Sequence, residues 1–236
     1  MSLMSRSFDA PPGGRYPAGV GVSHLIFDLD DTLYPPSAGV VGRVHVLISE
    51  FMVERLGMDL DEADALRARY RAELGTTLNG LMRYHGVQPD QFLAHVHAID
   101  IEGLLAPDAD LRAMLQTLPH EKIIFTNGSR PHAERVLARL GVRDCFADVF
   151  SLESVGYVPK PQPAAFTHVL GALGVAPARC LVIDDRLDNL LAAAGLGTRT
   201  LWVAGDGARD GAAGIDAAIG SVLEMPAALA AIEAAA

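Results

Sequence analysis

Cysteine, lysine and long hydrophobic segments are scarce in this sequence. Its two cysteines, Cys145 and Cys180, form neither a CxxC pair nor a disulfide framework, which is typical of proteins from a reducing compartment. No apolar run approaches the roughly 18–20 residues that a membrane-spanning helix needs. The N-terminal segment also lacks the hydrophobic region of a secretory signal. We therefore expect a cytoplasmic protein without a membrane partner.

Basic side chains are fewer than acidic ones. The 236 residues include 19 Lys and Arg against 29 Asp and Glu, which gives a formal net charge of −10. An acidic chain without a basic cluster argues against nucleic acid as the main partner. It does not argue against a small phosphorylated metabolite, because a few local donors can outweigh the global charge. With half of its residues hydrophobic and 20% charged, the chain can bury a sizeable core.

The order of the predicted elements indicates an α/β fold. A short apolar strand begins at His24, and from residue 110 onward strands and helices alternate. The later strands are predicted at 122–125, 149–152, 180–183 and 200–203, and the helices at 110–118, 130–140, 163–173, 187–194 and 221–235. This alternation predicts a doubly wound, Rossmann-like parallel sheet.

Between the first strand and residue 110 the sequence predicts helices alone. They lie at 38–56, 61–74, 78–85 and 89–99, and Arg67, Arg69, Arg71 and Glu73 make the second of them look largely solvated. A connection of 75 residues, 36–110, is far longer than an ordinary loop. We therefore expect an inserted all-helical cap, an α/β core formed by 23–35 and 111–236, and a flexible N-terminus over 1–22.

Two of the predicted strands end in paired acids. Asp28 and Asp30 follow the first strand, and Asp184 and Asp185 follow the strand at 180–183. In open α/β sheets ligands bind at this edge, and carboxylates held together repel unless a cation or phosphate chemistry requires them. One carboxylate can attack phosphorus while a second transfers a proton. The alternative is a pair of acidic loops that cap helices.

A candidate anion site lies between these acid pairs in the chain. Thr126-Asn127-Gly128 follows a strand and precedes a helix, so that a hydroxyl, an amide and backbone N–H groups can surround an anion. Lys160, one of two lysines, stands between two prolines that restrict its backbone. Taken singly, an ordinary N-cap and a solvated loop lysine are the alternatives.

Together these motifs resemble those of the haloacid dehalogenase superfamily. They are Asp28-x-Asp30-x-Thr32, Thr126, Lys160 and Asp184-Asp185, and the insertion after the first resembles a cap of the C1 type. The resemblance implies that Asp28 is the nucleophile, that Asp30 is the general acid/base, and that Thr126, Asn127 and Lys160 hold the phosphoryl group. It also implies Mg²⁺ bound by the Asp28 carboxylate, the Asp30 carbonyl and Asp185, with Asp184 in support.

Further segments resemble the pyrimidine 5′-nucleotidase subgroup. They are FDLDDTLYP at 27–35, GTTLNGLM at 75–82 and the pair His132-Ala133. This likeness implies nucleoside 5′-monophosphates as substrates, although Asn189 stands where many relatives have aspartate. The two glycines of the second segment indicate a break or a close approach. Thr77 and Asn79 are therefore predicted to contact the leaving group, with a plain interhelical turn as the alternative.

The histidines and aromatic residues of the helical block carry weaker signals. His85, His95 and His97 are predicted to pack in the cap or to lie at its surface, with room for one of them to line the substrate pocket. Tyr34, Phe92 and Tyr84 could stack on a base, and packing in the core or the cap is the alternative.

The predicted function is Mg²⁺-dependent hydrolysis of a phosphomonoester, foremost a nucleotide, through an aspartyl-phosphate intermediate. Three alternatives stay open: a sugar phosphomutase, a broad-range phosphatase of small metabolites and a non-catalytic phosphometabolite-binding module. Asp30 disfavours dehalogenation, because a halide leaves without a proton whereas an alkoxide needs one. The sequence gives no oligomeric state.

Overall fold

A computed structural model of the chain describes Tyr16, residues 19–205 and residues 212–234. In this part of the chain six parallel strands form one sheet in the order β3-β2-β1-β4-β5-β6. The strands are β1 (His24–Phe27), β2 (Glu121–Phe125), β3 (Asp148–Phe150), β4 (Cys180–Asp184), β5 (Arg199–Val203) and β6 (Ala217–Ile219). The predicted doubly wound α/β fold is confirmed. The prediction of a flexible N-terminus over 1–22 falls mostly outside the described residues.

Helices precede or follow every strand. They are α1 (Val40–Leu56), α2 (Leu60–Leu74), α3 (Thr77–His85), α4 (Pro89–Val96), α5 (Ile101–Leu104), α6 (Ala109–Thr117), α7 (Arg130–Leu140), α8 (Pro163–Leu173), α9 (Leu187–Ala194) and α10 (Met225–Ala234). Within the described ranges, none of these helices is both long enough and apolar enough to cross a bilayer.

The strand order places a topological switch at the centre of the sheet. The chain winds outward from β1 to β3 on one side, returns to β4 beside β1, and then continues outward to β6. Phe27 at the end of β1 is level with Ile124 of β2 and Ile183 of β4. The residues that follow these three strands therefore meet at one edge of the sheet, where ligands bind in folds of this kind.

The central strands are apolar because both faces of the sheet are covered. Leu25, Ile26 and Phe27 of β1 are buried, and so is every residue of β4. Burial of these apolar residues fixes the register of the strands, and with it the point along each strand at which the first polar side chain appears. The first polar groups after the apolar runs are Asp28 and Asp184.

Local capping explains where the predicted boundaries shift. Gly39 adopts a left-handed conformation with φ of 80° and ends a short 3₁₀ turn, so that α1 begins at Val40 rather than at residue 38. Ser221 and Glu224 form a capping box around another 3₁₀ turn, and α10 therefore begins later than predicted, at Met225. The short elements α5 and β6 have no counterpart in the prediction, because so few residues show no periodicity.

Helices α2 and α3 approach each other closely at Gly80. A Cβ atom on Gly80 would lie 2.1 Å from Cγ of Tyr70, while Gly75, at the end of α2, has a φ of 84°. The predicted close approach and break are therefore found at these two glycines. The alternative of a plain interhelical turn over 75–82 does not hold for the whole segment, because the chain is helical from Thr77 onward.

Substitution of Gly80 should test this packing. We expect Gly80→Ala to destabilise the protein by about 1–3 kcal/mol, because the new methyl group would displace the Tyr70 ring. Gly42→Ala is a matched control: it lies in α1, where an added Cβ would meet no neighbouring atom within 4 Å, and it should stabilise by about 0.5 kcal/mol. Denaturant unfolding of the two variants measures both effects. Equal effects would contradict the close approach.

Candidate active site

Lys160 occupies the centre of a buried charge cluster at the sheet edge. Its Nζ atom donates hydrogen bonds to Asp28 Oδ1 at 2.9 Å, to Asp184 Oδ2 at 2.8 Å and to the Phe125 carbonyl at 2.7 Å. These three bonds use every hydrogen of the ammonium group. The alternative of a solvated loop lysine is therefore excluded, since the Lys160 side chain is 2% exposed. In this arrangement Lys160 holds the acids together.

The cluster carries more negative than positive charge. Burial, only partly offset by Lys160, raises the pKa of Asp28 and of Asp184 to about 6. Burial and the neighbouring Asp184 raise the pKa of Asp185 to about 6 as well. For Lys160 the two carboxylates overcome the opposing effect of burial and raise the pKa. A further cation would relieve the repulsion among these acids.

Asp184 is engaged by protein donors on both of its oxygens. Asn189 Nδ2 lies 2.9 Å from Oδ1 and 3.0 Å from Oδ2, and the backbone N–H of Arg186 donates to Oδ1 at 2.9 Å. Together with the Lys160 bond, these contacts make Asp184 a support for its neighbours. Asn189 is buried, and its Oδ1 atom has no hydrogen-bond partner among the described residues.

The predicted phosphate-binding residues play different parts. The Gly128 N–H donates to Thr126 Oγ1 at 2.9 Å and fixes the hydroxyl so that its own hydrogen can donate to a ligand oxygen. The Asn127 side chain is instead occupied by Lys160: its Nδ2 donates to the Lys160 carbonyl, and its Oδ1 accepts from the Lys160 N–H. Asn127 thus positions the lysine, and its backbone N–H is what remains for an anion.

Asp30 has surroundings unlike those of Asp28. Its Oδ1 atom accepts a hydrogen bond from the Tyr34 hydroxyl and lies 2.8 Å from Nε2 of the buried His132. Burial acts to raise the pKa of Asp30, but the electrostatic effect of His132 and the hydrogen bonds from His132 and Tyr34 together lower it to about 2. Tyr34 is therefore a fixed donor to the carboxylate rather than a free platform for a base.

A second histidine completes the support of Asp30. The ring of His97 stacks on that of His132 with 4.4 Å between centroids, and its Nδ1 atom lies 2.9 Å from Ser129 Oγ. His97 immediately follows α4, whereas His132 and Ser129 belong to the start of α7. This stack therefore joins the helical block to the residue that contacts Asp30.

The acids open into a cavity of about 210 Å³ between the sheet edge and the helical block. We call it the site cavity. Its lining includes Asp28, Asp30, Thr126, Asn127, Lys160, Asp185, Thr77, His97 and Asn189. The structure thus brings most of the predicted site residues to one place. Asn79 lies apart from them: its amide donates to the Leu74 carbonyl, and it lines a neighbouring cavity.

A comparison of the sequence with known protein families shows which family the chain belongs to. The sequence profile of the haloacid dehalogenase-like hydrolases matches residues 22–197 of the chain. The chain belongs to the haloacid dehalogenase-like hydrolase family.

Individual relatives of this hydrolase include phosphatases. Phosphate metabolism protein 8 of Saccharomyces cerevisiae is 30% identical over 190 residues, which cover 73% of this chain but only 59% of that protein. Glyceraldehyde 3-phosphate phosphatase of Methanopyrus kandleri is 27% identical over 181 residues, 71% of this chain and 77% of that one. The crystal structure of a HAD phosphatase from Thermococcus onnurineus aligns with a TM-score of 0.59 and 22% identity, over 88% of this chain and 98% of that chain, which shows a shared fold.

The acidic residues of this haloacid dehalogenase-like hydrolase fit a Mg²⁺ ion. One carboxylate oxygen each from Asp28, Asp184 and Asp185 lies within 4.8 Å of the others, and oxygen atoms are the ligands that Mg²⁺ prefers. Because three carboxylates face one ammonium group, the charge of the cluster also suits a divalent cation. With Asp184 engaged elsewhere, Asp28 and Asp185 are the side chains that would hold the ion.

The contribution of His132 escapes sequence reasoning, which uses this residue only as part of a subgroup likeness. We expect His132→Phe, which keeps a ring but loses the donor, to lower kcat about 10–100-fold with little change in KM. His132→Gln retains an N–H donor and should recover part of the loss. Steady-state kinetics on folded variants measures both. If the two substitutions lower kcat equally, His132 only fills space.

Proposed function

We propose that this haloacid dehalogenase-like hydrolase is a Mg²⁺-dependent phosphomonoesterase that acts through an aspartyl phosphate on Asp28. The observation that carries the proposal is the pairing of two carboxylates with different partners in one cavity. Asp28 is bound by Lys160, whereas Asp30 is held by His132 and Tyr34. One acid is thus prepared as a nucleophile and the other as a proton carrier.

In the first half of the reaction an oxygen of Asp28 attacks phosphorus, and the bond between phosphorus and the ester oxygen breaks. Lys160 fixes Oδ1 of the nucleophile, while among the described residues Oδ2 has only a 3.5 Å contact with Thr32 Oγ1. Asp30 takes up a proton from solvent as the substrate binds and gives that proton to the departing alkoxide. The negative phosphoryl group raises the low pKa of Asp30 as it enters, because like charges disfavour the ionised carboxylate.

In the second half a water molecule attacks the phosphorus of the aspartyl phosphate. Asp30 accepts a proton from that water, orthophosphate leaves, and the Asp28 carboxylate is restored. Thr126 Oγ1 and the backbone N–H of Asn127 would hold the phosphoryl oxygens. A bound Mg²⁺ would supply positive charge that offsets the repulsion between Asp28 and the phosphoryl group.

Helices α1–α5, within the predicted cap at 36–110, are proposed to select the leaving group. Thr77 lines the site cavity, although its hydroxyl also lies 3.4 Å from the Arg67 carbonyl. The nucleoside 5′-monophosphates implied by the resemblance remain one candidate class. None of the described residues that line the site cavity is Phe, Tyr or Trp, so a nucleobase would bind without aromatic stacking. Phe92 is buried, and Tyr84 stacks on Tyr70 instead.

The proposed activity is tested by phosphate release from a panel of monophosphates with Mg²⁺. We expect turnover to stop in EDTA, to return with Mg²⁺ and not to return with Ca²⁺. Calcium takes more oxygen ligands at longer distances and so misplaces the nucleophile. Isomerised sugar phosphate without orthophosphate would favour a mutase instead. Full activity in EDTA would contradict the metal-dependent reaction.

A further inference from the structure

Three arginines line the boundary between the site cavity and a larger one beside it. The second cavity, of about 870 Å³, is called the outer cavity here. Arg67 and Arg71 of α2 and Arg186 of the β4–α9 connection line both cavities, as does Gly75. Because Arg67 and Arg71 are four residues apart on one helix, they share a face. We call the three side chains the arginine cluster.

Arg71 is the member of the arginine cluster without a paired carboxylate. Arg186 forms an ion pair with Asp188, and Arg67 has Asp64 at 3.5 Å. Among the described residues Arg71 forms no ion pair, and its one hydrogen-bond contact is with His45 Nε2 at 3.3 Å. A guanidinium group can only donate, so His45 must accept through Nε2 as a neutral ring. His45 therefore orients Arg71 without neutralising it.

The members of the arginine cluster act on one another as like charges. Burial lowers the pKa of Arg71, and the charges of Arg186 and Arg67 lower it further, while Asp188 and Asp185 act in the opposite direction without reversing the shift. Burial, followed by the charges of the two arginines on α2, lowers the pKa of His45, in keeping with its neutral form. The charge of Arg71 also acts on Asp31 in the site cavity. Like charges gathered at the mouth of a cavity favour a negatively charged occupant.

We propose that the arginine cluster binds a second anionic group on the leaving group of the substrate. The substrate class is then a small phosphomonoester that also carries a carboxylate or another phosphate. The guanidinium of Arg71 matches the geometry of either group and would form charge-assisted hydrogen bonds with it. This inference rests on the proposed phosphatase activity, because it assigns a binding site to the end of the substrate that lies opposite to the reacting phosphorus.

The shape of the cavities fits such a substrate. The site cavity is smaller than the roughly 300–1,000 Å³ of sites for drug-sized ligands, and it adjoins the outer cavity at the arginine cluster. A phosphoryl group beside Asp28 and Lys160 therefore leaves the rest of a short molecule directed at Arg71. An anion there meets cations from two sides, α2 and the start of α9.

The test compares substrates that differ in one charged group. We expect the wild-type enzyme with Mg²⁺ to show at least tenfold higher kcat/KM for 3-phosphoglycerate than for glycerol 3-phosphate, and for fructose 1,6-bisphosphate than for fructose 1-phosphate. A preference within only one pair identifies the anion as carboxylate or phosphate. Arg71→Gln should abolish the preference while changing hydrolysis of p-nitrophenyl phosphate less than about threefold.

Arg69→Gln is the matched control, because it removes the same charge from the same helix at an exposed residue outside both cavities. It should keep the wild-type preference. Three results would overturn the inference. They are equal rates within both substrate pairs, an equal loss for all substrates in Arg71→Gln, and a faster reaction with uridine 5′-monophosphate than with either 3-phosphoglycerate or fructose 1,6-bisphosphate.

Binding separates this inference from the proposed function. Calorimetric titration of the Asp28→Asn protein with 3-phosphoglycerate, glycerol 3-phosphate and fructose 1,6-bisphosphate needs no turnover. Tighter binding of a doubly anionic ligand, lost in Asp28→Asn/Arg71→Gln, supports the subsite even if no substrate is hydrolysed. Equal affinities for all three ligands would reject the subsite and leave the phosphatase proposal untouched.

Discussion

Asp28→Asn should lower phosphate release by about four powers of ten or more and leave the fold intact. The amide has the shape of the carboxylate and can still accept a hydrogen bond from Lys160, but it cannot form an acyl phosphate. Phosphate release with Mg²⁺, measured beside circular dichroism and thermal unfolding, gives the result. Because one buried negative charge is lost, the variant should unfold at a temperature no lower than that of the metal-free wild type.

Asp110→Asn controls for the loss of a carboxylate as such. Asp110 is exposed in the first turn of α6, away from the site cavity. This variant should hydrolyse substrates at the wild-type rate. If the Asp28 variant retained activity within tenfold of the control, covalent catalysis by Asp28 would be wrong.

Asp30→Ala should distinguish substrates by their leaving groups. For an alkyl phosphate such as glycerol 3-phosphate we expect a loss of about 10²–10⁴-fold, because the departing alkoxide has no proton donor. With p-nitrophenyl phosphate the first step needs no proton, since p-nitrophenolate is a stable leaving group. A rapid burst of p-nitrophenol followed by slow turnover should therefore appear, as the second step still lacks its base.

Stopped-flow absorbance measures that burst, and its amplitude should approach one equivalent per active site. The wild-type enzyme serves as the reference for both substrates. Equal losses in the first step for the alkyl and aryl phosphates would show that Asp30 does not act on the leaving group.

The central sheet could be predicted from the sequence because its strands are short apolar runs that end in polar residues. His24–Phe27 and Cys180–Asp184 are of this kind. The strand Ala217–Ile219 is not, because three small and apolar residues at a sheet edge show neither alternation nor length. Capping also moved boundaries, as at Gly39 and Ser221, where the periodic pattern starts before the helix does.

Only those site residues that lie at the end of a predicted strand could be placed from the sequence. Asp28 and Thr126 follow strands that pair in the sheet, and Asp184 is the last residue of another, so the topology alone brings the three together. The side chain of Asn127 bonds to the backbone of Lys160, which is 33 positions away in the sequence. His132 contacts Asp30 across 102 positions. No local pattern encodes such distances, and a side-chain amide gives no sign in the sequence of which partner it will take.

The position of Arg67 and Arg71 at the site cavity could not be predicted from the sequence either. The helix that carries them is mostly exposed, as its polar sequence predicts, yet these two side chains line the site cavity. Their spacing predicts that they share a helix face. Which face of α2 meets the sheet edge depends on packing elsewhere, including the contact of Gly80 with Tyr70.

The most direct test of the account is to trap the phosphorylated enzyme. Wild-type protein is mixed with radiolabelled phosphomonoester and Mg²⁺, quenched with acid within milliseconds, digested and mapped. The account predicts label on the peptide that contains Asp28, stable in acid and released by hydroxylamine, as an acyl phosphate should be, and absent from Asp28→Asn. Turnover without covalent label at any quench time, or label on another residue, would contradict it.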